Sequence, residues 1–153
     1  MKFCDLTMRV CDIMHKGVVA CDPEDSLRKV AKIMRVNHFR AVVVADPSGD
    51  TWGVISVMEL IKFMGKDLGK VTAEDAMRPY KIEVDPQWPV ERAIEIMKNK
   101  KIEHLIVIDP HVGPKRAIGI LSSFDIVRYM SQIEAGRFDQ ILKFPDVSAS
   151  SAA

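Results

Sequence analysis

Along the chain, short apolar runs stopped by Asp-Pro alternate with stretches in which apolar side chains recur every third or fourth position. Val18-Val19-Ala20-Cys21, ended by Asp22-Pro23, predicts a short strand. Leu27, Val30, Ala31 and Met34 then stand at i, i+3, i+4 and i+7, on one face of a helix. Ala41-Val42-Val43-Val44-Ala45 is an almost unbroken β-branched run, the pattern of a strand covered on both faces. A further strand over 52–55 leads into a second amphipathic helix whose apolar face is Val57, Leu60, Ile61 and Met64.

The same succession comes round again. Displaced by 63 positions, Asp12, Met14, Asp22-Pro23, Ile33-Met34, Val44 and Asp46-Pro47 fall on Asp75, Met77, Asp85-Pro86, Ile96-Met97, Val107 and Asp109-Pro110. Past a loop that is three residues longer, near His111-Val112-Gly113-Pro114, Gly53, Ser56 and Met64 fall on Gly119, Ser122 and Met130. So many matches in one order mean a duplicated unit. In the second copy the strands are expected over 82–84, 105–108 and 117–121. Its first helix shows Val90, Ala93, Ile94 and Met97 after Pro89, whose missing N–H costs nothing at a helix start. Its second shows Ser123, Ile126, Val127 and Met130, and a short helix precedes each copy, about 6–14 and 72–77.

Each copy is therefore β-α-β-β-α. One three-stranded sheet with two helices cannot cover its own apolar faces, so the expected fold is α/β (α+β), two repeats packed together. The repeats are expected over 5–65 and 70–131, joined by the polar Lys66-Asp67-Leu68-Gly69-Lys70. Residues 132–153 are expected to be a C-terminal helix and tail, whose end beyond Val147 lacks the apolar content to pack.

Composition narrows the function. Hydrophobic residues at 48% and charged residues at 28% are the proportions of a soluble globular chain. A net charge of +1 supplies no field to draw in nucleic acid or an acidic membrane. No apolar run has the length that spans a bilayer, and Met1-Lys2-Phe3-Cys4-Asp5 does not read as a signal peptide. Cys4, Cys11 and Cys21 include no C-x-x-C pair and read as reduced thiols of a cytoplasmic protein. His15, His38, His104 and His111 lack zinc-ligand spacing, so no metal site is expected. With no nucleophile–base pair, metal cluster or P-loop, the chain is expected not to be an enzyme and to use no catalytic cofactor. Met34, Met64, Met97 and Met130 lie on helix faces and read as core filler. Trp52 and Trp88 stand apart and make no stacking platform for nucleic acid.

The motifs Asp12-Ile13-Met14, Asp22-Pro23 and Gly53-Val54-Ile55-Ser56-Val57-Met58-Glu59 resemble one CBS (cystathionine beta-synthase) domain. Asp75-Ala76-Met77, Asp85-Pro86, Ile102-Glu103-His104-Leu105-Ile106-Val107-Ile108-Asp109 and Gly119-Ile120-Leu121-Ser122-Ser123-Phe124-Asp125 resemble a second. Where the family often has proline in the central strand, this chain has Val43 and Ile106. The resemblance implies repeats packed sheet to sheet with pseudo-twofold symmetry, leaving two clefts. It implies an adenine nucleotide (AMP, ADP or ATP) or S-adenosylmethionine in one or both, with the acidic residue that closes G-x-x-S-x-x-D on the ribose hydroxyls. It also implies a homodimer. Carried over by position, one cleft would hold its ligand with Ser122, Asp125 and His104 from the second repeat and Met14, Val19, Phe39 and Arg40 from the first. The other would use Ser56 and Glu59 with Met77, Ile82, Ile102 and Glu103, the last a second carboxylate that would repel a phosphate.

The residues support this chemistry and also a plainer one. A serine opening a helix aims its hydroxyl and free backbone N–H groups at what lies before it, and that end of a helix favours phosphate. A carboxylate one turn in accepts hydrogen bonds from a vicinal diol. Yet Ser-x-x-Glu is also the capping box, which Ser56-Val57-Met58-Glu59 fits fully. Asp125, one methylene shorter, fits the box less well, so the Asp125 cleft is expected to be the stronger ligand site. Two functions follow: a nucleotide-sensing regulatory module acting on an unidentified effector protein, or a ligand-free dimerisation and interaction domain.

Overall fold

The computed structural model describes residues 8–79, 82–111 and 113–132. The expectations for the Met1–Asp5 start, Cys4 and the tail beyond Gln132 lie outside these residues. In chain order the elements are α1 (Val10–Ile13), β1 (His15–Lys16), β2 (Ala20–Cys21), α2 (Leu27–Asn37), β3 (Ala41–Ala45), β4 (Thr51–Ser56) and α3 (Val57–Ile61). The second copy supplies α4 (Ala73–Ala76), β5 (Arg78–Pro79), α5 (Val90–Lys100), β6 (His104–Ile108), β7 (Ala117–Ser122) and α6 (Ser123–Gln132).

The long helices form where the period predicts them. Ser26 caps α2, its hydroxyl accepting from the Lys29 N–H at 3.2 Å, and Leu27, Val30 and Met34 are buried. In α5, Val90, Ala93, Ile94 and Met97 do the same. Both end on a left-handed residue that bears a side chain, His38 at φ 56° and Lys101 at φ 54°. β3 pairs antiparallel with β4, and β6 with β7, each with one irregularity near its end. Val43 and Val54 of the first sheet pack with Ile106 and Ile108 of the second, so the two repeats meet sheet to sheet.

The repeats also exchange their leading segments. β1 pairs not with its own repeat but with β7 of the other, and β5 pairs with β4. The sheets therefore run β2-β3-β4-β5 and β1-β7-β6. The short helices cross over too: Val10 and Cys11 N–H groups donate to the carbonyls of Trp88 and Pro86, while Ala73 and Glu74 donate to those of Asp25 and Pro23. Val10 thus lies in the second repeat's core, and Ala73 and Ala76 in the first's.

Several expectations need correction. The strand over 82–84 reduces to one bridge, Val84 to Val107, because Ile82 turns to a cavity and Glu83 turns out to Lys115 at 2.6 Å. The helix expected to run through Met64 stops at Ile61 and tightens into a turn, with Phe63 N–H on Leu60 C=O. Met34 and Met97 are core, but Met64 is 84% exposed and Met130 46%. Trp88 is not alone: the Arg92 guanidinium lies 3.7 Å over its ring. Burial, with Asp25 and Asp22 beside it, pushes the Cys21 thiol up to about 11, which suits an unreactive core thiol. No helix among the described residues is long and apolar enough to cross a membrane.

Candidate functional site

The crossing of β5 over β4 builds one side of a cleft. A methyl group on Gly53 would lie 2.6 Å from the Arg78 carbonyl and 2.7 Å from the Met77 sulfur. On Gly119 it would lie 2.6 Å from the His15 carbonyl and 2.8 Å from the Met14 sulfur. The motif glycine is therefore the place where the other repeat's strand and methionine pass against the sheet. Met14 and Met77 serve that crossing, packed on the second and first cores respectively.

Beside the Gly53 crossing lies a cavity of about 660 Å³. Ser56 and Glu59 stand at its first-repeat wall, and Ile82, Ile102, Glu103 and His104 at its second. Five of the six residues assigned to the Glu59 cleft are thus brought together; the sixth, Met77, sits against Gly53. His104, assigned to the other cleft, lines this one. Arg78, Lys100 and Lys101 line it as well and were missed. The signal for them was faint. Lys100-Lys101 closes a helix as basic residues commonly do, and only its place just before Ile102 and Glu103 sets it apart.

Glu59 is 4% exposed with both carboxylate oxygens engaged. The Ser56 N–H donates to Oε2 at 2.8 Å, the Ser56 hydroxyl donates to the same oxygen, and Arg78 donates to Oε1 at 3.2 Å. Burial alone would raise this carboxyl, but the Ser56 hydroxyl, the Ser56 N–H and the Arg78 guanidinium outweigh it and hold it below the ordinary value. The acid is thus kept ionised at a cavity wall, as a diol-binding acceptor must be.

Asp125, 5% exposed, forms the same kind of corner. The Ser122 N–H donates to Oδ2 at 2.8 Å, the Asp125 N–H donates to Ser122 Oγ at 3.1 Å, and Arg128 lies 3.5 Å from Oδ1. Aspartate therefore closes the box as Glu59 does, and side-chain length does not set the two sites apart as expected. Thr72 and Asp75 form another such pair at 3.2 and 3.3 Å, since an acid at the third helical position needs no extra methylene to reach the cap N–H. Of the first-repeat residues assigned to the Asp125 cleft, Phe39 meets the His15 ring edge-on at 6.4 Å, Arg40 is exposed, and the Val19 carbonyl accepts from the Val43 N–H.

His104 lines the Glu59 cavity, and its backbone pairs with that of Ser122 in the neighbouring strand. Burial pushes its imidazole below the ordinary value, Glu103, Asp125 and Glu59 pull it back, and Arg40 pushes it down again. Among the described residues no group of His, Cys, Asp and Glu side chains could hold a metal ion.

Two duplicated units with exchanged leading strands, each carrying a buried acid near the start of its closing helix, define a paired-repeat fold, with a cavity lined from both repeats beside Glu59. The CBS domain model matches residues 10–66 and 73–132, and the chain belongs to the CBS domain family. The chain is 25% identical over 148 residues to the uncharacterised protein MJ1404 of Methanocaldococcus jannaschii, covering 87% of this chain and 34% of that protein, about a third of its length. The CBS domain pair of protein MJ0100, in complex with 5′-methylthioadenosine and S-adenosyl-L-methionine, superposes with a TM-score of 0.73 at 25% identity, over 82% of this chain and 97% of that one. PAE2072 of Pyrobaculum aerophilum, complexed with AMP, gives 0.74 at 19% identity, over 90% of this chain and 100% of that one, a likeness of fold.

Proposed function

We propose that the chain is a regulatory module that takes up an adenine nucleotide between its CBS repeats, carries out no chemistry on it and reports its presence to another protein. The observation that carries this reading is the cavity of about 660 Å³ with the buried, ionised Glu59 at its wall. That size falls within the ordinary range for small-molecule sites, roughly 300–1,000 Å³. Ile82, Ile102 and Leu105 offer apolar surface to a base, Glu59 an acceptor for a ribose diol, and Ser56 a hydroxyl at a helix start. Asp125 and Ser122 repeat the arrangement by pseudo-symmetry, with Met14, Val19, Phe39 and Arg40 on the facing repeat, so a second ligand site is part of the proposal. A thermal-shift screen tests it. AMP, ADP, ATP or S-adenosylmethionine at millimolar concentration raises the melting temperature, because a ligand that binds only the folded chain stabilises it. No shift with any of them sinks the reading.

The module acts as a homodimer. Met58, Ile61 and Met64 around α3 and Phe124, Val127 and Met130 on α6 are 46–84% exposed in the single chain. Apolar surface on this scale is usually buried against a partner, and a second copy is the commonest one. The same surface is what the alternative reading, a ligand-free interaction domain, would use; the screen separates the two.

A further inference from the structure

We infer that the Glu59 cavity selects the phosphorylated nucleotide over S-adenosylmethionine, with Lys100 and Lys101 as the residues that hold the phosphate. This rests on the cavity being an adenosine site, as proposed above.

The charges on the wall are unevenly committed. Arg78, Lys100 and Lys101 line the cavity together with Glu59 and Glu103. Arg78 is already tied to Glu59 at 3.2 Å, whereas Lys100 and Lys101 form no ion pair among the described residues. With that pair cancelled, two free ammonium groups stand against one carboxylate. That balance of charge on the lining suits an anion and opposes the sulfonium cation that S-adenosylmethionine carries on its 5′ carbon.

A helix C-terminus is itself a poor place for an anion, and lysines there commonly do no more than offset the dipole. The backbone at Lys101 argues for more. Its φ of 54° lies in the left-handed region, and its N–H and that of Ile102 both return to the Met97 carbonyl. Glycine is the unstrained residue at such a cap. A lysine there accepts backbone strain and stands on the lining of the cavity. The pseudo-equivalent residues of the first repeat are Asn37 and His38, so the two clefts differ in basic character at this position.

The test is a calorimetric titration of adenosine, AMP, ATP and S-adenosylmethionine into wild type, Lys100→Gln/Lys101→Gln and Lys101→Gly, with each unliganded melting temperature recorded. Wild type is expected to bind AMP and ATP on the order of tenfold more tightly than adenosine, an advantage that shrinks as salt rises. The double variant should bring AMP to the level of adenosine while adenosine itself binds as before. Lys101→Gly should melt no lower than wild type yet lose part of the AMP preference, a combination that a purely structural cap would not give. If adenosine and AMP bind wild type equally, or the double variant keeps the preference, the lysines do not hold a phosphate, although the adenosine site stands. If no adenosine compound binds wild type, the site itself is refuted and this inference with it.

Discussion

Gly53 and Gly119 show how one residue couples the repeats. Each lies where a strand of the other repeat crosses, with a backbone carbonyl 2.6 Å from where its Cβ would be. Alanine at either position forces the crossing strand away, and overpacking of this kind costs roughly 1–3 kcal/mol. Gly53→Ala is expected to melt several degrees lower and also to weaken nucleotide binding, since Arg78 and Glu59 would separate. A Gly53→Ala protein as stable as wild type would show that the crossing is loose. At His104 the prediction concerns pH. Its folded-state pKa is depressed, so the unfolded chain takes up the proton first. Its contribution to stability is present above the ordinary value of 6.5 and is lost as pH falls below it. Urea unfolding between pH 7.5 and 5 should show stability declining below about pH 6.5, and His104→Gln should flatten that decline; an unchanged slope would contradict the assignment.

At the scale of elements, the duplicated pattern made the two units legible, and periods of 3.6 and 2 placed α2, α5, β3, β4, β6 and β7 close to where they lie. What did not show in the sequence is which partner each leading segment takes. Val10 and Ala73 look like residues of the repeat that follows them, yet each is fully buried in the core of the other. Local pattern fixes a helix, but only tertiary packing fixes its neighbour. The Glu59 cleft was legible through its motif residues, whereas Arg78, Lys100 and Lys101 enter it by way of that crossing and of a helix end. The relative standing of Asp125 rested on a chain-length argument that the geometry of the box overrules. The crossing predicts that Val10→Ala destabilises the second repeat, by about 1.5–3 kcal/mol for the lost methyl burial and its cavity. Hydrogen exchange reads this directly: amides of β6 and β7 should lose protection more than those of β3 and β4. Loss confined to α1 itself would refute the exchange of segments.

For the whole molecule, the exposed apolar side chains around α3 and on α6 form the interface of the proposed homodimer. Light scattering at tens of micromolar should give twice the mass of the chain, and Ile61→Asp combined with Phe124→Asp should return it to a monomer. A monomeric wild type would leave those surfaces without the proposed partner.

If the buried acids Glu59 and Asp125 hold a nucleotide's ribose, calorimetric titration of AMP into wild type, Glu59→Ala and Asp125→Ala shows it most directly. Hydrogen bonds to a charged acceptor contribute roughly 1.5–3 kcal/mol each. With water replacing part of the lost carboxylate, removal of one acid is expected to weaken its site by about 2–4 kcal/mol, on the order of 30- to 1,000-fold. The lost cap costs only about 0.5–2 kcal/mol of stability, so both variants should remain folded. Variants that melt lower but bind AMP as wild type does would make Glu59 and Asp125 helix caps alone and contradict the account.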